Sequence, residues 1–260
     1  MAKADGLSTL RKIILLMILA AVALGSYLSR VRSTDWIEPL WVTVYPINGD
    51  DSAETDSYIN QLEQADFLDV ENFIQREASR FSVGNADPLF MKLRMPIDER
   101  PPEPPASRNL LSIMWWSLRL RVWANGVERK DPEPGGDIRI FVLYYDPTVH
   151  ITLRHSLGLQ KGLIGVVHAF ARADLNPQNN VVIAHELLHT LGATDKYQDG
   201  NYPVFPQGFA DPDKQPLLPQ THAEIMGGRI PKTEDQAEIP PSLRNVVVGP
   251  TTAKEINWIQ

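Results

Sequence analysis

Short runs of β-branched and aromatic residues mark the predicted strands of this chain. The most regular runs are Leu40–Ile47, Asp137–Tyr145 and Gly162–Phe170, and Pro88–Met95 is a weaker one. Stretches with a helical spacing of apolar residues lie between several of these runs. The pattern therefore predicts a fold that combines helices with a sheet.

Two helical regions are predicted in the first half of the chain. Ala53–Phe81 carries apolar residues at helical spacing and is predicted to form two helices with a break near position 65. Asn109–Ala124 is predicted to be an amphipathic helix that stops at Gly126, because glycine commonly terminates helices. The tryptophans of this helix, Trp115 among them, are expected in the hydrophobic core.

Two more helices are predicted in the second half. The first is apolar, begins at Asn179 or Asn180, whose side chains suit an N-cap, and ends at Gly192. The second is short and lies at the end of the chain. Thr252 and Glu255 have the spacing of a capping box, so Thr252 is the expected N-cap of this last helix.

The N-terminal segment 1–32 has the pattern of a membrane-targeting sequence. Ile13–Ser29 contains no charged residue, and basic residues flank it on both sides. About seventeen apolar residues is near the lower limit for a spanning helix, and small residues within the run would also suit cleavage of a signal peptide. An uncleaved signal-anchor predicts a membrane-anchored protein with its folded part outside the cytoplasm. A cleaved signal peptide predicts a secreted or periplasmic one.

A proline-rich stretch, Pro96–Pro105, divides the rest of the chain. Such a stretch is typical of a domain boundary or of a long surface loop. The segment 33–105 is therefore predicted to be either a subdomain or pro-segment, or simply the first part of one larger domain. Residues 106–260 contain the candidate site and form the predicted catalytic region.

Composition narrows the classes of function. The formal net charge is −7, and no basic run occurs beyond the N-terminal flank, so we expect no nucleic-acid partner. The chain contains no cysteine, which excludes a disulfide framework and a thiolate metal site.

The candidate chemistry lies in the apolar helix that is predicted to end at Gly192. His185 and His189 are four residues apart, so both imidazoles lie on one side of a helix and can reach a single metal ion. Glu186 lies beside them, where a carboxylate can transfer a proton without binding the metal. This H-E-x-x-H spacing predicts a zinc site.

Asp195 is the predicted third ligand of this site. A helix stop at Gly192 turns the chain back toward the metal, and Asp195 follows three residues later. Two nitrogens and one carboxylate oxygen leave a fourth position open, as expected of catalytic zinc. His222 and Glu224 are the alternative third ligands, although each would require a long loop to fold back.

These residues resemble the signature of the metzincin clan of zinc peptidases, H-E-x-x-H-x-x-G-x-x-H, in which Asp replaces the last His in a minority of members. The chain has His185, Glu186, His189, Gly192 and Asp195 at the corresponding places. The resemblance implies an α+β, zincin-like fold with a mixed, twisted sheet, an active-site helix and one catalytic Zn²⁺.

The resemblance also implies features outside the zinc motif. Met226, followed by two glycines, matches the clan's tight turn with a Met beneath the zinc. Some members carry a Tyr two residues after that Met, where this chain has Gly228, and Tyr197 is a tyrosine that could lie near the cleft instead. In the clan an edge strand pairs with extended substrate, and Gly162–Phe170 or Val149–Leu153 is the candidate here.

The implied function is that of a zinc-dependent metallopeptidase, in which Glu186 assists the attack of a zinc-bound water on a peptide bond. The implied partners are a peptide or protein substrate and a membrane, the latter through the N-terminal segment. The alternative is a membrane-anchored, non-catalytic zinc-binding scaffold or interaction module. Intact Glu186 favours the enzyme.

Overall fold

The computed structural model describes residues 11–14, 16–17, 34–107, 109–198 and 201–260. Most of the apolar run that is predicted to be a signal-anchor or signal peptide lies outside these residues. Among the helices of the described ranges, none is long and apolar enough to cross a membrane. The described chain combines helices with a five-stranded mixed sheet, which confirms the predicted α+β class.

The five strands of the main sheet follow the predicted apolar runs, with one short addition. They are β1 (Leu40–Asn48), β2 (Leu89–Leu93), β3 (Ile138–Tyr145), β4 (Leu157–Leu159) and β5 (Ile164–Phe170). Their spatial order is β2-β1-β3-β5-β4. The first four in this order are parallel, and β4 is antiparallel to β5. Because the parallel strands are covered on both faces, β1, β3 and β5 are apolar along most of their length.

Five helices of the described residues within 34–260 pack around this sheet. They are α1 (Ala53–Ile59), α2 (Leu68–Arg80), α3 (Leu110–Lys130), α4 (Asn176–Leu191) and α5 (Pro250–Glu255). Residues of α2, α4 and α5 share one hydrophobic core with one face of the sheet, and α3 packs against the opposite face. The predicted break near position 65 is confirmed, since a 3-10 turn at Gln64–Phe67 separates α1 from α2.

The chain after α4 forms two small ribbons. Strands β6 (Ala223–Glu224) and β9 (Val246–Val247) pair in parallel. Strands β7 (Ile230–Pro231) and β8 (Ala237–Glu238) pair antiparallel. The first ribbon brings the segment around Met226 next to the start of α5.

The segment before the proline-rich stretch shares the sheet with the segment after it. β1 lies between β2 and β3, and it is hydrogen-bonded to both. Release of residues 33–105 as a pro-segment would therefore remove two strands of the five-stranded sheet.

The predicted limits of α3 are wrong at its C-terminal end. The helix continues past Gly126 to Lys130, because Val127 is buried against the sheet and Asp131 caps the helix. The expectation that Trp115 lies in the core is also wrong. Its side chain is 63% exposed, whereas Trp116 is buried.

The predicted N-caps of the last two helices are wrong as well. α4 begins at Asn176, with Pro177 in its first turn, because the amide of Asn179 is hydrogen-bonded to the backbone of Phe170 instead. The amide of Asn180 donates to the carbonyl oxygen of Asp66.

The capping box at the end of the chain does not form. Gly249 is the N-cap of α5, and Thr252 is inside the helix. The hydroxyl of Thr252 donates to Glu224 Oε1 at 2.7 Å, and Glu255 turns toward the loop after α4. Both polar side chains of the motif are thus used in tertiary contacts.

Candidate metal centre

Two histidines of α4 present their Nε2 atoms to the same point. His185 Nδ1 lies 2.9 Å from the carbonyl oxygen of Ile225, and His189 Nδ1 lies 2.8 Å from that of Ala193. A carbonyl oxygen only accepts hydrogen bonds, so each Nδ1 carries the proton and each neutral ring keeps a lone pair on Nε2. Backbone carbonyls therefore fix both rings in the tautomer that metal ligands require.

Asp195 completes a triangle of ligand atoms with the two histidines. The Nε2 atoms lie 3.1 Å apart, and Asp195 Oδ1 lies 3.2 Å from His185 Nε2 and 3.1 Å from His189 Nε2. Three ligand atoms that share one ion at about 2.0–2.1 Å lie roughly 3.0–3.4 Å from one another. Within the described part of the chain, this group could hold a metal ion, which agrees with the predicted ligand set.

Two neutral imidazole nitrogens cannot hydrogen-bond to each other, because both offer lone pairs. With a carboxylate oxygen equally close, their approach to 3.1 Å suits a cation bound between them, which a proton or a metal ion can supply. The donor set of two nitrogens and one oxygen suits a divalent transition metal.

The predicted helix stop at Gly192 is confirmed. Gly192 has φ 110°, in the left-handed region that favours glycine. Its N–H donates to His189 O at 3.1 Å, and the N–H of Ala193 donates to Leu188 O at 3.0 Å. The turn directs Asp195 back across the last turn of α4.

The loop after this turn is anchored to α5 by Glu255. Thr194 donates to Glu255 through its N–H at 2.9 Å and its hydroxyl at 2.7 Å. Lys196, whose side chain is 4% exposed, donates from Nζ to Glu255 Oε2 at 2.7 Å. The residues on both sides of Asp195 are therefore held by one carboxylate.

The ligand residues influence each other's protonation. Burial raises the pKa of Asp195, but hydrogen bonds from His185 and His189 outweigh it and hold that pKa well below its usual range. Burial lowers the pKa of His189, but the hydrogen bonds to Asp195 and to the carbonyl of Ala193 outweigh it and leave the pKa raised. In the metal-free state, the site thus favours a carboxylate paired with an imidazolium.

Glu186 lies beside the ligands and outside the ligand triangle. Its side chain is buried, and Oε2 has no hydrogen-bond partner among the described residues. Burial raises the pKa of Glu186, and the nearby His185 and His189 oppose this shift. A buried carboxylate with a free oxygen and a raised pKa is suited to accept and return a proton.

The turn at Met226 contacts both α4 and the loop that follows it. Met226 is fully buried, and its carbonyl oxygen accepts from the N–H of Lys196 at 2.9 Å. The preceding residue, Ile225, supplies the carbonyl oxygen that orients His185. The turn therefore supports both the helix and the loop that carry the ligand atoms.

Glu224 organises this turn and does not belong to the ligand triangle. Its buried carboxylate accepts from the N–H groups of Met226 at 2.7 Å and Gly227 at 2.8 Å through Oε2. Its Oε1 accepts from Gly249 N–H at 3.0 Å and from the Thr252 hydroxyl at 2.7 Å. These four donors occupy the carboxylate, so the structure disfavours Glu224 as the third ligand.

His222, the other alternative ligand, also lies outside the triangle. Its Nδ1 is 3.0 Å from the hydroxyl of Thr221, and it is absent from the ligand group found among the described residues.

Tyr197 lies near the candidate site, as its place in the sequence allows. Its ring centroid is 6.3 Å from that of His185. Burial and the negative charge of Asp195 raise the pKa of the Tyr197 phenol to about 12. The phenol therefore stays protonated at neutral pH and can donate a hydrogen bond. Its position two residues after Asp195 was the only signal in the sequence.

The edge strand of the main sheet beside α4 is β4. Neither of the two segments predicted to be an edge strand lies at this edge. Gly162–Phe170 corresponds to β5, which is paired on both sides by β3 and β4. Val149–Leu153 forms no strand. β4 (Leu157–Leu159) was missed because three residues give too short a pattern.

Gly158, the central residue of β4, allows the strand to approach α4 closely. A Cβ at Gly158 would lie 2.3 Å from the carbonyl oxygen of Glu186 and 2.5 Å from Cβ of His189. Both distances are shorter than van der Waals contact, so only glycine fits there.

No model of a known protein family matches this chain. No curated protein matches it at a significant level either.

Proposed function

We propose that this protein is a zinc-dependent metallopeptidase with a zincin-like fold of the metzincin type. His185, His189 and Asp195 hold the zinc ion, and Glu186 is the general base. The observation that carries the proposal is the triangle of His185 Nε2, His189 Nε2 and Asp195 Oδ1, with sides of 3.1–3.2 Å. A buried carboxylate with a free oxygen lies next to it in the chain.

When bound, zinc lowers the pKa of water and polarises a carbonyl group, and three protein ligands leave a position open for this chemistry. Glu186 accepts the proton of the attacking water and returns it to the leaving amine. The raised pKa of Glu186 suits both transfers, because a general base works best when its pKa lies near the operating pH. Tyr197, as a protonated phenol near His185, is placed to stabilise negative charge beside the site.

The proposed substrate is an extended peptide or protein segment. β4 is the last strand of the main sheet and, among the described residues, it pairs with β5 alone, so its outer edge offers backbone groups to a further strand. Because β4 packs against α4 at Gly158, a peptide on that edge would run past the metal ligands.

The proposed location is outside the cytoplasm, either anchored to a membrane or released after signal cleavage. This part of the proposal rests on the apolar run at 13–29 and its basic flanks.

Metal content and peptide cleavage, measured on the same preparation, test the enzyme proposal. The purified protein should contain about one zinc per chain and should cleave members of a diverse peptide library, and a chelator should abolish cleavage. Glu186→Gln should retain the zinc and lose at least about a hundredfold in activity, because general-base catalysis contributes roughly 10²–10⁴-fold.

Bound zinc without peptide cleavage would instead favour the non-catalytic scaffold. Turnover of small amides alone would indicate a hydrolase of another class. Near-normal peptide cleavage by Glu186→Gln would exclude Glu186 as the base.

A further inference from the structure

The first part of α3 has an apolar face that no described part of the chain covers. The exposed apolar side chains in this part of the helix are Leu110, Leu111, Ile113, Met114, Trp115, Leu118 and Val122. Their exposure ranges from 40% at Ile113 to 72% at Leu111. Contiguous exposed apolar surface of this kind marks an interaction site in soluble proteins.

The uncovered face is continuous along the helix. Leu111, Trp115, Leu118 and Val122 follow the i, i+4, i+7, i+11 spacing, so they form one stripe. The opposite side of α3, which carries Trp116, Leu120, Ala124 and Val127, is buried against the sheet. α3 therefore has a second apolar side that the fold does not need for its own core.

Basic residues border this stripe on both sides. Arg119 follows the stripe residue Leu118, and Arg121 precedes the stripe residue Val122. Helical geometry places these two arginines on opposite flanks of the stripe. A shallow groove on the stripe is lined by Arg121 and Lys161 together with apolar residues of α3. Within the described chain, Arg119 and Lys161 form no salt bridge.

Acidic residues are absent from this part of the chain. No Asp or Glu occurs between positions 104 and 127, although the protein as a whole carries a formal net charge of −7. An apolar stripe with an aromatic residue, arginines on both borders and no acid matches the headgroup region of a membrane with anionic lipids. Arginine side chains can extend along such a surface and keep their charges among the phosphates.

We propose that this α3 stripe is a lipid-contact surface that docks the folded part of the protein onto an anionic bilayer. The proposal is independent of the proposed peptidase activity. Two other occupants, a second copy of the chain or the apolar segment 13–29, would cover the stripe without lipid contact, and the experiment below separates them.

The absence of cysteine allows a single label to be placed on the stripe. Val122→Cys in the full chain is labelled with an environment-sensitive fluorophore, and the protein is incorporated into vesicles of phosphatidylcholine and phosphatidylglycerol. Contact with lipid should shift the emission to the blue, protect the label from iodide and allow quenching by brominated lipids. A label at Ile239→Cys, an exposed residue after β8, should be quenched by iodide only.

The basic border supplies a second, independent measurement. Reversing two charges with Arg119→Glu and Lys161→Glu should lower the ratio of docked to undocked protein by at least about fivefold, since each basic residue near an anionic surface contributes to binding. Vesicles of phosphatidylcholine alone should dock the parent protein less well.

Three outcomes would overturn the proposal. A Val122 label that is quenched by iodide and not by brominated lipid shows a free surface. A label that neither reagent quenches shows that a second copy or the segment 13–29 covers the stripe. Lipid quenching that is unchanged by charge reversal and by removal of phosphatidylglycerol contradicts the anionic-lipid assignment.

Discussion

Lys196 Nζ donates a hydrogen bond of 2.7 Å to Glu255 Oε2, and this pair joins the loop of the candidate metal site to the last helix of the chain. The Lys196 side chain is almost fully buried, so the ammonium group depends on Glu255 for its neutralisation. Glu255 also accepts from Thr194, and Asp195 lies between these two donors. The end of the chain thereby controls the position of a candidate metal ligand.

Glu255→Gln should destabilise the protein and weaken metal binding. The amide cannot neutralise buried Lys196, so the free energy of unfolding should fall by about 3 kcal/mol in the metal-free protein. Chemical denaturation and a chelator competition measure the two effects. Glu38→Gln, at an exposed carboxylate, is the matched control and should change neither. Unchanged stability in Glu255→Gln would show that the pair does not hold the loop.

Asp195→Ala should lower the zinc affinity by at least about tenfold, because it removes one of three ligands. Asp195→His should retain zinc, since imidazole also binds this metal. His222→Ala is the control and should bind zinc like the parent. Competition with a fluorescent chelator measures all three. Loss of zinc from His222→Ala, with normal binding by Asp195→Ala, would require a different third ligand.

Glu224→Gln should destabilise the turn at Met226. Three backbone N–H groups and one hydroxyl donate to this carboxylate, and the NH₂ of Gln would face at least one N–H donor. Leaving that N–H unsatisfied costs about 1–3 kcal/mol of unfolding free energy. Denaturant titration compares it with Glu234→Gln, at an exposed position. Equal stability of the two variants would contradict the role assigned to Glu224.

The stability of the metal-free protein should fall as the pH rises through neutrality. The pKa of His189 is raised above 6.5 in the folded state, so its contribution is fully present below the unfolded pKa and is lost as the pH passes the folded pKa. Bound zinc should therefore stabilise the protein more at about pH 8 than at about pH 6, since fewer protons compete for His189. Thermal unfolding with and without a chelator measures this difference.

Asp195→Asn is the matched control for the pH dependence. It removes the carboxylate that raises the pKa of His189 while keeping the size of the side chain. The metal-free variant should lose less stability between about pH 6 and pH 8 than the parent. An identical pH profile in both proteins would contradict the coupling of the two residues.

The sequence predicted those parts of the structure that depend on local pattern. The strands β1, β3 and β5, the helix with His185 and His189, and the turn at Gly192 all follow from apolar periodicity and from the conformational freedom of glycine. The position of Asp195 beside the two histidines could be predicted as well, because the turn leaves only a few residues between Asp195 and His189.

The features that the sequence did not predict depend on tertiary contacts. Thr252 and Glu255 have the spacing of a local cap, but burial against Glu224 and Lys196 gave them other partners. Gly126 did not stop α3, since the burial of Val127 outweighs the cost of glycine in a helix. The importance of Glu224 could not be predicted either, because two of its four donors, Gly249 and Thr252, come from a distant segment of the chain.

The close contact between Gly158 and α4 has a consequence for protein engineering. Because a Cβ cannot fit between β4 and the backbone of Glu186, the separation of the edge strand from the helix is fixed by the main chain. Under the proposed function, libraries that aim to change peptide preference should therefore vary Leu157 and Leu159 and leave position 158 unchanged. Alanine there would widen the gap between strand and helix, shifting every backbone group on the outer edge of β4 relative to His185 and His189.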